Sequence, residues 1–292
     1  MITLKNDLLE VQLENKGAEI IKIVGQIDHI NYMWKRDPKQ WASSAPILFP
    51  IVGNLRNNEC RINGETYSMT QHGFSRHNEY KVVENSETSV TFCLTPNEEI
   101  KKQYPFNFEL HVTYTLEDNT LSCKSLVKNR DTKEMYFQIG GHPAFACPFY
   151  ENESSNDYYL ELEKNETLTQ KVIDIEKSGM SHITKTFFDN EKRFFIRQEL
   201  FNNNAIVLQD VKSKYIALKS LNHNKSLVFH MEGFNHLGIW AANHVGDLIA
   251  LEPWVGHADY IDFNGEFKEK QGVVTLQPNQ QFTCTFKVEI NQ

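Results

Sequence analysis

The chain reads as an all-β protein, and three observations carry that reading. Short runs rich in valine, threonine, phenylalanine and tyrosine recur along the 292 residues. Each run ends in Asn, Asp, Gly or Lys-rich punctuation, as strands joined by turns do. Helical periodicity is almost absent.

Taken in order, residues 11–13 and 18–24 read as strands separated by Asn15-Lys16-Gly17, and residues 27–34 as a third with a turn before Asp37-Pro38. Strands are then expected at 79–84, 89–94, 106–116 and 120–129, with Glu117-Asp118-Asn119 as a hairpin turn. The exception is 97–104, which suits two helical turns: its acidic residues come early, its basic ones late, and Pro105 stops it. Residues 135–139, 211–221, 248–251 and the closing segment 272–286 again read as strand. No Gly/Ser linker, charge block or fixed-period repeat divides the chain, so a single domain over 1–292 is expected.

Composition narrows the function. With 38 acidic and 30 basic side chains the formal charge is −8, and lysines and arginines are scattered. Neither a nucleic-acid nor an anionic-membrane partner fits that distribution. The start, Met1 to Asp7, has no apolar segment behind a basic cluster, and no run approaches the ~20 apolar residues of a membrane span. A cytoplasmic protein is expected, as a monomer or homodimer. Five widely spaced cysteines include no C-x-x-C pair, which argues against zinc and for reduced core thiols. Cys147 lies near His142 in sequence, but nothing there marks an ionised thiol.

Five stretches break the strand pattern. In Gln138-Ile139-Gly140-Gly141-His142-Pro143-Ala144-Phe145 two glycines free the backbone and a proline removes a ladder donor, leaving His142 at a strand end. In Gly53-Asn54-Leu55-Arg56 a turn presents Arg56, a fork of donors suited to hydroxyls or phosphates. Gln71-His72-Gly73-Phe74-Ser75-Arg76 sets His72 and Arg76 within reach of one pocket. Gly238-Ile239-Trp240 offers an aromatic floor. Ala250-Leu251-Glu252-Pro253-Trp254 ends an apolar strand with a carboxylate, and Pro253 is expected to end the pairing there. A glutamate desolvated against Trp254 has the raised pKa that a general base needs. Taken singly, each also has an ordinary structural reading, as a packed histidine, a surface arginine or a core tryptophan.

Together, in this order and spacing, they resemble the galactose mutarotase-like superfamily of aldose 1-epimerases, over nearly the whole chain. The likeness is greatest to its LacX-like branch, found in bacterial lactose or galactose operons, through Gly-His-Pro-Ala-Phe and Leu-Glu-Pro-Trp. The resemblance implies a β-supersandwich and an isomerase that interconverts the anomers of an aldose or aldose 6-phosphate without metal or cofactor. It implies that His142 protonates the ring oxygen and Glu252 takes the proton of the anomeric hydroxyl, starting from protonated His142 and ionised Glu252. His72 would stabilise developing charge. Arg56, Arg76, Asn204, Trp240 and Trp254 would bind the sugar. Where the founding enzymes carry His-Thr-Tyr-Phe or His-Ser-Tyr-Phe, this chain has Pro143-Ala144-Phe145. Where they bind hydroxyls with an aspartate, it has Asn202-Asn203-Asn204, with Asp210 beyond. A neighbouring branch holds a 6-phosphate with arginines, which Arg56 and Arg76 would allow here. The rivals are a non-catalytic sugar-binding or regulatory protein on the same fold, and a glycoside hydrolase using Asp259 and Asp262 beside Glu252.

Overall fold

A computed structural model describes residues 1–202, 204–242 and 247–292. Alternating burial builds its strands. In Phe108–Glu117 the inward residues Phe108, Leu110, Val112, Tyr114 and Leu116 are buried, while those between them stay half-buried. Thr120–Asn129 repeats the pattern and pairs with it antiparallel, Thr120 opposite Glu117. Asp118 takes the φ of 49° that a two-residue hairpin turn demands.

Such pairings extend, among the described residues, into one sheet of fifteen strands. From one end it runs Ile47–Leu48, Ile139–Gly141, Leu248–Val255, His236–Trp240, Ile206–Gln209 and Tyr158–Asp174, and it finishes at the edge strand Lys81–Asn85. Ile2–Lys5, Leu9–Glu14 and Glu19–Gly25 form a separate three-stranded sheet whose Leu4, Val11 and Ile23 enter the same core. The expected helix is Glu98–Gln103, where the Asn97 side chain accepts the Ile100 N–H at 2.8 Å. The architecture is the all-β supersandwich that the resemblance implies.

Several expectations change. Residues 27–34 form no strand: Asp28 accepts the Ile30 N–H, and Asn31 and Met33 make isolated bridges to Val24 and Phe145. A polar side chain bonds the backbone there before it can join a ladder. Residues 211–221 shorten to Tyr215–Ser220. Two strands of 17 residues each, Tyr158–Asp174 and Gly179–Phe195, form a long hairpin with no counterpart in the sequence reading. Its register slips repeatedly, so no period of two is sustained along it.

Leu248–Val255 is buried throughout, which is why its sequence is a continuous apolar run around Glu252. Pro253 does not end the pairing. It lies opposite Leu237, and the ladder continues to Val255. Antiparallel ladders alternate bonded and non-bonded positions, so one missing N–H is tolerated at a non-bonded position.

Just past this strand Asp259 joins three segments. Its carboxylate accepts the Arg56 N–H at 2.9 Å and pairs with the Lys270 ammonium, and its carbonyl accepts the Met180 N–H at 2.7 Å. Both charged side chains are buried. Asp259→Ala leaves that ammonium unpaired, and we predict a loss of about 3–5 kcal/mol in urea denaturation; a loss under ~1 kcal/mol would contradict this role.

Candidate active site

Strand register brings the two proton-exchanging residues together. Gly140 lies opposite Trp254 and Ala144 opposite Ala250, so the same register carried across the intervening break sets His142 opposite Glu252. Directly opposed residues have Cβ atoms ~4.5–5.5 Å apart, close enough for their side chains to meet. The His142 Nε2 and Glu252 Oε2 atoms are 3.2 Å apart, a close approach rather than an aligned hydrogen bond. Pro143 still accepts the Leu251 N–H through its carbonyl, while the His142 N–H turns away to the Pro46 carbonyl at 3.0 Å.

The glycines act here by leaving space, not by backbone freedom. Neither Gly140 nor Gly141 has a positive φ. A Cβ on Gly140 would lie 2.9 Å from Cδ1 of Trp254, and one on Gly238, opposite Glu252, would lie 2.6 Å from its Cζ2. The Trp254 indole thus lies on a floor without side chains, beside the carboxyl. At His72 the backbone does need freedom: Gly53 and Gly73 both have φ 72°, and His72 has φ 66°. Gly53 donates its N–H to His72 Nδ1 at 3.1 Å and accepts the His72 N–H at 2.9 Å. An accepting Nδ1 puts the ring proton of a neutral imidazole on Nε2, where it can be donated. The His72 ring stands at 87° to that of His142, with centroids 5.7 Å apart.

His72, Arg76, His142, Asn204, Trp240, Glu252 and Trp254 line one cavity of about 340 Å³. That is within the ~300–1,000 Å³ of small-molecule sites. Arg56 is the exception among the expected residues. It is exposed, its Nη1 donates to the Phe263 carbonyl at 3.1 Å, and it borders a different groove. Its backbone N–H is held by Asp259, which carries the side chain outward. Arg76 donates through Nε to His77 at 3.2 Å, and the Asn204 oxygen accepts the Ala205 N–H at 2.8 Å. Asp210 is an exposed turn residue outside the cavity.

Three contributors were not expected. Trp41 packs on His142 with ring centroids 4.8 Å apart; Asn54 and Gln71 add amides; and Ser178 to Met180, where the turn of the long hairpin enters its second strand, form a wall. A tryptophan isolated in a polar loop after Asp37-Pro38 was the available signal for the first. Asp259 and Asp262 lie outside the cavity, paired with Lys270 and His182, so among the described residues no second carboxylate lines the cavity with Glu252. Cys147 is buried away from the cavity, and burial pushes its thiol pKa far up, against nucleophilic use.

Burial sets the electrostatics. It raises the Glu252 carboxyl well above its ordinary range; Trp254 opposes this, although its Nε1 makes no hydrogen bond of good geometry. Burial lowers the His142 imidazole to about 3, with the Arg76 charge acting the same way and a backbone contact opposing it. His72 is also held well below its ordinary value, by burial first and then by His142 and Arg76. Both directions favour a neutral imidazole and a protonated carboxyl over the expected protonated His142 and ionised Glu252. One proton resides on the pair in either arrangement; burial decides against separating the charge. Among the described residues His142 Nδ1, Glu252 Oε2 and Trp254 Nε1 are buried polar atoms with no hydrogen bond. Such orphans are rare in folded proteins, and here three meet at one cavity.

The family model for aldose 1-epimerase matches residues 1–287. The chromosomal LacX protein of Lactococcus lactis subsp. lactis is 34% identical over 284 residues, covering 95% of each chain. A galactose mutarotase-like protein from Lactobacillus casei superposes with a TM-score of 0.93 at 30% identity, covering 100% of both chains. A galactose mutarotase related enzyme from Lactobacillus acidophilus gives 0.95 at 28% identity, covering 100% of this chain and 97% of that one.

The glycine floor is open to test. Gly238→Ala, by displacing the Trp254 indole, is predicted to shift the tryptophan fluorescence and to cost about 1–3 kcal/mol. An unchanged spectrum and stability would show that the indole does not depend on that space.

Proposed function

Because the chain belongs to the aldose 1-epimerase family, we propose that it catalyses the interconversion of the α and β anomers of an aldose. The observation that carries this reading is the cross-strand contact of His142 and Glu252 inside a cavity of small-molecule size. Both O1 and O5 of a cyclic aldose are bonded to C1. Opening the ring requires a proton to leave O1 and another to reach O5, so two exchanging groups held side by side can serve both atoms.

The steps balance with the one proton on the pair. As the sugar enters, transfer from Glu252 to His142 gives carboxylate and imidazolium. Glu252 then takes the O1 proton, His142 delivers its own to O5, the C1–O5 bond breaks and the C1–O1 double bond forms. The pair is left as carboxylic acid and neutral imidazole, the state burial already favours, so the open-chain form is matched by the site's preferred protonation. Rotation about C1–C2 and the reverse transfers close the ring on its other face. His72, as a neutral Nε2–H donor, stabilises charge developing on oxygen. Arg76 and Asn204 hold hydroxyls, and the indoles of Trp240 and Trp254 receive the apolar face of the ring.

A neutral aldose is favoured over a 6-phosphate. With Arg56 outside, Arg76 is the one arginine lining the cavity among the described residues, so the pair of forks that a phosphate would prefer is not assembled.

Anomeric NMR of freshly dissolved α-glucose, α-galactose and α-glucose 6-phosphate, with and without protein, tests the reading. We expect faster equilibration of at least one neutral sugar, reduced about 10²–10⁴-fold in Glu252→Gln and in His142→Asn. Sugar binding without acceleration would overturn it and leave a sugar-binding protein.

A further inference from the structure

We propose that Trp41 is a positioning residue for this chemistry: a loop-borne indole that caps the His142 imidazole and keeps water from it. Among the described residues, one carboxyl group and three aromatic rings make close contacts with that ring. Glu252 approaches from the adjoining strand at 3.2 Å, His72 stands edge-on at 5.7 Å, Trp240 lies at 5.7 Å and 71°, and Trp41 lies nearest and flattest at 4.8 Å and 38°. The first three sit on the sheet or on turns locked to it. Trp41 belongs to neither; it comes from the loop between Trp34 and Pro46, and it also meets Trp240 edge-on at 5.6 Å.

The loop is tied so as to hold the indole in place. The buried Trp34 donates its indole N–H to the Trp41 carbonyl at 2.8 Å, and the Trp41 N–H bonds the Asp37 carbonyl at 2.8 Å. Gln40 donates to Asp247 at 2.9 Å, and Arg36 ties Ala42 to Glu14 through bonds of 3.0 and 2.9 Å. A merely solvated loop has no need of so many tethers around one ring. The His142 side chain keeps 12% of its exposure, so removing the indole opens it directly to water.

Burial is the chief cause that lowers the imidazole pKa. The other charged and titratable groups facing it, Glu252, His72 and Arg76, remain when Trp41 is removed, so any change reports on the cap. Admitting water stabilises the charged form and raises the imidazole pKa toward its ordinary value.

The inference rests on the proposed chemistry for its purpose but not for its test. In protein labelled with ¹⁵N-histidine, with His142→Asn to assign the signal, wild-type His142 is expected to stay neutral down to pH 5. Trp41→Ala is expected to raise its titration midpoint by about one pH unit or more. Trp41→Gln, which retains side-chain length, should do the same should the alanine variant fold poorly, and Trp41→Phe should keep the wild-type behaviour. An unmoved midpoint in both the alanine and glutamine variants would overturn the proposal, whether or not the protein epimerises sugars. With an active protein, the acid limb of kcat/KM should move upward with the midpoint, and a stationary limb would likewise count against it.

Discussion

A carboxyl and an imidazole facing each other on a strand pair buried from both sides constrain everything around them. Two separate charges there would each lose their hydration, so burial favours one proton on the pair without separated charge. Neighbouring features are consistent with this economy. Burial likewise favours the neutral form of His72, whose Nδ1 accepts the Gly53 N–H, and Arg76 keeps a guanidinium at the same cavity without pairing to the carboxyl. The uncharged pair is also the state that opening of a sugar ring would leave behind, which links the fold's electrostatics to the proposed reaction.

The second requirement is space. Trp254 lies beside Glu252 because Gly140 and Gly238 offer no Cβ beneath it, and the ladder runs through Pro253 without losing register. On the opposite strand the ladder is interrupted just where His142 and Pro143 stand, which turns the His142 N–H toward Pro46 while keeping the side chain on the shared face. The remaining walls come from far along the chain: the turn after Gly53, the tip of the long hairpin at Ser178 to Met180, and the Trp41 loop. Asp259 joins the first two of these to Lys270.

What the sequence made legible follows from local rules. Phe108–Glu117 and Thr120–Asn129 alternate cleanly, and both were expected within two residues of their ends. Short motifs that break alternation pointed to His142, Glu252, His72 and Arg76, because a polar residue beside glycine or proline at a strand end signals something other than packing. Contacts set by register and by loops were not legible. Arg56 follows a turn that delivers His72 rather than itself, Trp41 is placed by tethers to Asp37, Trp34 and Asp247, and the long hairpin lacks a sustained period. Gly140 and Gly141 were noticed for a backbone reason, whereas the effect of Gly140 lies in the size of a tryptophan 114 positions away and that of Gly141 in the space taken by the Phe286 ring. The protonation of the pair was likewise beyond local reading, since it depends on burial from both faces.

Infrared difference spectroscopy tests the central claim most directly, because a protonated carboxyl has a carbonyl stretch distinct from that of carboxylate. In D₂O near neutral pD, the wild-type minus Glu252→Gln spectrum is predicted to show one protonated carboxylic acid that belongs to Glu252. A difference spectrum containing only carboxylate bands would mean that Glu252 is ionised at rest, and the account of a buried pair sharing one proton without net charge separation would fail.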